Sequence, residues 1–97
     1  MSPEGRIEAY LKKRVKETGG RHRKLRWLSR NGAPDQFIWW PGPLIYFVEV
    51  KRPGGAVRKA QEAAHKRLRA DGFNVLVIDS VNAVDEFISI ALQQSRC

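Results

Sequence analysis

Cysteine is almost missing from this 97-residue chain; the only one is its last residue, Cys97. A lone thiol closes no internal disulfide and builds no cysteine-based zinc cage, which points to a reducing, cytosolic setting. Long apolar runs are missing too. No stretch approaches the roughly 20 residues that cross a bilayer, and the opening "MSPEGRIEAYLKKR" has a charge in nearly every turn and no hydrophobic signal core. Acids are scarce beside bases: 10 Asp and Glu against 18 Lys and Arg leave a net charge of +8 on a small surface. Such a field draws in polyanions and favours nucleic acid as a partner over a membrane. What is present is the composition of an ordinary globular protein, 42% apolar and 29% charged. The length suits one domain, residues 1–97, with one core.

The pattern along the chain alternates helices and strands. Ser2 can cap a helix, Pro3 suits its first position, and Ile7, Tyr10, Leu11 and Val15 form its apolar stripe before "TGG" at 18–20 stops it. "RHRKLRWLSR", residues 21–30, reads as a short basic strand, "NGAPD" as a loop and "QFIWW" as a second strand. After Pro41, Gly42 and Pro43 comes "LIYFVEVK", the strongest strand pattern. From Val57 to Asp71 the spacing turns helical, with Val57, Ala60, Ala64 and Leu68 along one side. "FNVLVID" reads as a buried strand. Ser80 caps a last helix marked by Val84, Phe87, Ile88 and Ala91. The order α-β-β-β-α-β-α predicts an α/β fold, a central mixed sheet flanked by helices.

The chemistry concentrates at residues 34–51. Side chains alternate along a strand, so Glu49 and Lys51 project together from the end of the third strand, where a charge needs a partner or a purpose. If 36–40 and 44–51 form a hairpin folded about Gly42, Asp35 lies opposite Glu49, with Lys51 beside them. Two carboxylates so close repel, and a divalent cation removes the conflict. Oxygen donors without a Cys or His cluster suit Mg²⁺ or Mn²⁺, and the Val50 carbonyl offers a third oxygen. A neighbouring lysine can orient a water or steady charge developing on a phosphate. An Asp after Pro is otherwise common in turns, and E-x-K is often a plain ion pair; their conjunction in a basic chain is what points to chemistry. Arg21, Arg23, Lys24, Arg26 and Arg30 form a basic run leading to Asp35, and Arg52 and Arg58 flank the segment after Lys51. All seven are candidate phosphate contacts.

The series "SPEGRIEAYL", "NGAPDQFIWW", "YFVEVKRPGG" and "AQEAAHKRLRADGFNVLVIDSV" resembles, in order and over nearly the whole chain, the VRR-NUC family (virus-type replication-repair nuclease) of the restriction-endonuclease-like, PD-(D/E)XK superfamily. The resemblance implies a restriction-endonuclease-like core, Asp35 and Glu49 as metal ligands, Lys51 as the catalytic lysine and Gln61 as the family's glutamine. It also implies a first-helix glutamate completing the metal site. Glu4 and Glu8 compete for that place, and Glu4 fits better because it stacks over Leu11 and Val15. His65 falls where the family often carries an aromatic or a histidine, as a packing or phosphate contact. The activity implied is Mg²⁺- or Mn²⁺-dependent DNA hydrolysis giving 5′-phosphate and 3′-hydroxyl ends. With no additional module to read base sequence, the expected substrate is branched or structured DNA, foremost four-way (Holliday) junctions cut by a homodimer in DNA repair or recombination. The alternatives are a flap or general structure-selective nuclease, a non-catalytic basic nucleic-acid-binding protein, and a subunit dependent on a larger enzyme.

Overall fold

Local chemistry places the first helix. In the computed structural model, which describes residues 1–95, the Ser2 hydroxyl accepts the Gly5 N–H at 3.0 Å, and α1 runs Pro3–Glu17 with Ile7, Leu11 and Val15 buried. The lone Cys97 lies outside the described residues. The other elements are β1 (Arg21–Lys24), β2 (Gln36–Trp40), β3 (Leu44–Val50), α2 (Lys59–Ala70), β4 (Asn74–Ile78) and α3 (Val81–Ser95). The expected element order holds throughout. No helix among the described residues is long and apolar enough to cross a membrane.

The four strands form one mixed sheet in the order β1-β2-β3-β4, antiparallel across the first three and parallel between β3 and β4. Gly42, at φ +137°, sits at the centre of the β2–β3 turn, and the register runs from Trp40↔Leu44 to Gln36↔Val48. One face of the sheet carries Ile38, Trp40, Tyr46, Val48, Val50 and Ile78. These pack with α1 and with Val84, Phe87, Ile88 and Ala91 of α3 into the main core. Burying each such large apolar side chain contributes about 1.5–3 kcal/mol, so this layer is what holds the fold together. The Ser80 hydroxyl accepts the Ala83 N–H and starts α3 as anticipated.

The other face is aromatic and less enclosed. Phe37 packs on Trp39 and Phe47, and Trp27 and Phe73 close on Phe47. The adjacent tryptophans part as strand geometry requires. Trp40 is core, its indole N–H donating to Thr18 Oγ1, while Trp39 is half-buried under the Arg23 guanidinium.

Three local readings are corrected. The strand expected over 21–30 ends at Lys24, because beyond it Trp27 turns back to donate its indole N–H to the Pro34 carbonyl at 2.6 Å and Ser29 adopts φ +60°. The strand "FNVLVID" is a sheet edge rather than a buried strand, with Val77 37% exposed. The helix expected from Val57 begins at Lys59, and its deepest side chains are Gln61 and His65, not Ala60, Ala64 and Leu68. The helix is turned so that polar groups, not its small apolar ones, face the sheet end.

Gly32 pins the 25–35 loop to α2. Its φ is +85°, and a Cβ there would stand 2.6 Å from the Ala60 carbonyl carbon and oxygen. Gly32→Ala should therefore lower the unfolding free energy by about 1–3 kcal/mol in urea titration; an unchanged midpoint would show that the loop is not seated there.

Candidate active site

The β2–β3 register decides the site. Gln36 pairs with Val48, and one further step places Asp35 opposite Glu49, as folding about Gly42 requires. Glu49 stands near the end of a central strand and is 8% exposed, whereas the Asp35 side chain is 46% exposed. Burial, reinforced by the Asp35 charge, pushes the Glu49 carboxyl up to about 7, against the pull of Lys51 and Arg58; Glu4 adds to the rise. Glu49 Oε1 has no hydrogen-bond partner. It faces the His65 Nε2 at 3.6 Å, and that nitrogen is also buried and unpartnered. Burial lowers the His65 pKa, with Arg69 and Lys51 adding to the effect, so the ring does not supply the missing positive charge.

Lys51 is held by one atom of α2. Its Nζ donates to Gln61 Oε1 at 2.8 Å, and the same oxygen accepts the Arg58 N–H at 3.0 Å at the helix start. The Lys51 N–H donates to the Ile78 carbonyl on β4. Because a trans peptide points its C=O opposite to its N–H, the Val50 carbonyl is directed away from β4, to the side of β3 where β2 and Asp35 lie.

Asp35 is managed differently. Gln36 is 2% exposed and donates Nε2 to both Asp35 Oδ1 (3.3 Å) and Glu8 Oε1 (3.1 Å), while its own oxygen meets His22 Nε2. Lys24 Nζ lies 2.9 Å from Glu8 Oε1 and 3.6 Å from Asp35 Oδ2. The Glu8 bond holds the Lys24 pKa up. Burial alone would raise the Glu8 carboxyl, but its bonds to Lys24 and Gln36 outweigh that and lower it. Lys24, expected as a phosphate contact, is thus joined to two carboxylates. Sequence reasoning missed Gln36, although its position on the inward face with Ile38 and Trp40 marks a polar side chain that must find partners.

The remaining expected residues fall in three places. Glu4 is exposed in the first turn of α1, close enough for its charge to act on Glu49, but the described residues contain no cluster of three or more His, Cys, Asp or Glu side chains able to hold a metal. The expected gathering of Glu4, Asp35 and Glu49 is therefore not preformed, because Glu4 projects from the exposed start of the helix. Arg23, Arg26, Arg30, Arg52 and Arg58 are exposed, and of these Arg58 acts on Glu49 through its charge. His65, 2% exposed, is enclosed behind Glu49 rather than turned to a phosphate.

The donor set fits a hard divalent cation. Glu49 has an orphaned buried oxygen and a carboxyl that burial and Asp35 hold against ionisation, Asp35 lies across the hairpin, and the Val50 carbonyl is directed to the same side. All are oxygens, and a cation among them would relieve the one electrostatic conflict that the surrounding side chains leave standing.

Comparison with known proteins identifies the family and the fold. Residues 5–82 match the model of the VRR-NUC domain. The chain is 39% identical over 77 residues to "Putative nuclease p44" of Acyrthosiphon pisum secondary endosymbiont phage 1, an alignment covering 79% of this chain and 83% of that protein. A solved structure described as a VRR_NUC domain superposes with a TM-score of 0.87 at 39% identity, covering 92% of this chain and 97% of that one.

The Glu49 environment has a consequence for stability. An acid whose folded pKa (about 7) exceeds its ordinary value of 4.5 binds its proton more tightly in the folded state, so it withdraws stability as pH rises between those values. Without divalent cations, Glu49→Gln should match wild type near pH 5 and exceed it in urea resistance at pH 8. A gap between the two proteins that does not widen with pH would show that Glu49 is not held as described.

Proposed function

The chain belongs to the VRR-NUC family, and from that premise we propose that it is a metal-dependent, structure-selective DNA endonuclease, a single nuclease domain over residues 1–97, that resolves four-way junctions as a homodimer. The observation that carries the reading is the meeting of Asp35, Glu49 and the Gln61-held Lys51 at one end of the sheet. Asp35, Glu49 and the Val50 carbonyl would hold Mg²⁺ or Mn²⁺, with Glu4 reaching it through water. When bound, the cation would supply positive charge that polarises the scissile phosphate and favours ionisation of the attacking water.

The chain's own groups do the rest. An ammonium has three donors; Gln61 takes one from Lys51 and leaves two for a phosphate oxygen beside Glu49. Charge building on that oxygen during in-line attack is thereby met by a donor already in place, which costs no reorganisation at the moment of reaction. The 3′ oxygen departs with a proton, leaving a 5′-phosphate. Arg52 and Arg58, exposed beyond Lys51, hold the strand being cut, and Arg58 also lends its charge to Glu49. Exposed Arg26 and Arg30 are further phosphate contacts on this reading. A twofold dimer presents two such sites about one axis, which matches the paired cuts a symmetric branched substrate needs.

A cleavage panel of duplex, flap, fork and four-way junction, each with Mg²⁺ and with Mn²⁺, tests the reading. The junction should be cut fastest, with 5′-phosphate ends, by a protein that sediments as a dimer. Asp35→Ala, Glu49→Ala and Lys51→Met should each slow cleavage by about 10²–10³-fold or more while still binding the junction. Equal loss on flaps and junctions with no preference would point to a general structure-selective nuclease. Wild type that binds DNA yet cuts nothing would leave a basic binding protein.

A further inference from the structure

One concavity of the molecule lies beside the carboxylates rather than at them. It is a groove of about 520 Å³ between α1 and β1, lined by Lys12 and Lys16 on one wall and by Arg21, His22, Arg23 and Lys24 on the other, with Val15 and Gly20 at its base. The helix wall and the strand wall come together because Val15 is a core residue and Gly20 has no Cβ; one there would stand 2.7 Å from Val15 and 2.8 Å from Trp40.

The cations of this groove differ in what already occupies them. Lys24 is joined to Glu8 and Asp35, Arg21 donates to the Gly19 and Gly20 carbonyls, and Arg23 lays its guanidinium over Trp39 on the other face of the sheet. Lys12 and Lys16 are exposed and make no ion pair or side-chain hydrogen bond among the described residues. Four residues apart, they lie on one helix face about 6 Å apart along its axis, close to two nucleotide steps at about 3.4 Å per strand. The groove ends at Lys24, which touches Asp35.

We propose that this α1–β1 groove is a second DNA site, in which Lys12 and Lys16 hold the sugar-phosphate backbone leading away from the scissile bond on the Asp35 side. The assignment rests on the nuclease reading above and adds to it the path of the substrate. On this path the backbone passes Lys24 to reach the carboxylates, while Arg52 and Arg58 receive the strand beyond them. The groove reads no bases. It selects DNA whose backbone reaches from the groove to the catalytic end.

The test is the salt dependence of binding by the full chain. Affinity for a labelled four-way junction is measured in EDTA from 50 to 300 mM salt for wild type, for Lys12→Ala/Lys16→Ala, and for Lys66→Ala/Arg67→Ala, which removes equal charge from the exposed side of α2. Each lost phosphate contact should reduce the slope of log K against log salt by about 0.9, so the groove variant should lose about 1.8 and bind at least about tenfold more weakly at 0.1 M. The α2 variant should keep a slope near wild type. A groove variant with the wild-type slope, or one indistinguishable from the α2 variant, overturns the assignment. Binding is read without divalent cation, so failure of wild type to cut DNA would refute the nuclease reading and leave this result standing.

Discussion

Repulsion between two carboxylates facing each other across a hairpin organises this end of the molecule. Asp35 and Glu49 are set opposite by register, and neither can move without shifting the sheet. The fold answers the two differently. Asp35 is half-exposed and flanked by the amide of Gln36 and the ammonium of Lys24. Glu49 is buried, one of its oxygens has no hydrogen-bond partner, and its carboxyl is held near 7. Asp35 thus meets partners within the protein, whereas Glu49 keeps an orphaned oxygen, an asymmetry of the kind found where a site serves function rather than structure alone.

How much of this was legible in the sequence follows from what sets each feature. The Asp35–Glu49 juxtaposition was readable because a two-residue side-chain period and a turn centred on Gly42 fix it by counting. The α3 stripe was readable for a similar reason, since one helix face meets one core. The length of β1 was not, because its basic residues carry no alternation and its end depends on Trp27 reaching Pro34, a contact with no local signature. The rotation of α2 was hidden by its composition: alanines and Leu68 suggest an inward stripe, but the sheet end needs hydrogen-bonding groups, and Gln61 and His65 go there instead. The Glu8–Lys24–Asp35–Gln36 connection is non-local, spanning a helix and two strands, and pattern alone does not assemble such a set.

The same comparison explains why Glu4 and Glu8 are hard to separate by spacing. Both lie near the inward stripe of α1, one turn apart. What differs is their company: Glu8 meets Lys24 and Gln36, which satisfy it, while Glu4 stays exposed and acts on Glu49 only through its charge. Both internal donors meet Glu8 at Oε1, so in this structure Glu8 is tied to Gln36 and Lys24, the two residues that also meet Asp35.

Gln61 couples the folding of α2 to the assembly of the site. Its side-chain oxygen receives both the Arg58 N–H, one of the donors a helix start leaves open, and the Lys51 ammonium. The helix is short, and its buried face offers Gln61 and His65 rather than large apolar groups, so little hydrophobic burial holds its first turn. What does hold it is the backbone of Gly32 packed on Ala60, from the loop that delivers Pro34 and Asp35 to the start of β2. The loop before the aspartate, the helix after the lysine and the lysine itself are therefore one mechanical unit. Fraying at the start of α2 would displace Lys51 and loosen Asp35 together, which is why a glutamine, able to accept from both groups at once, serves this position better than an apolar residue that would pack more tightly.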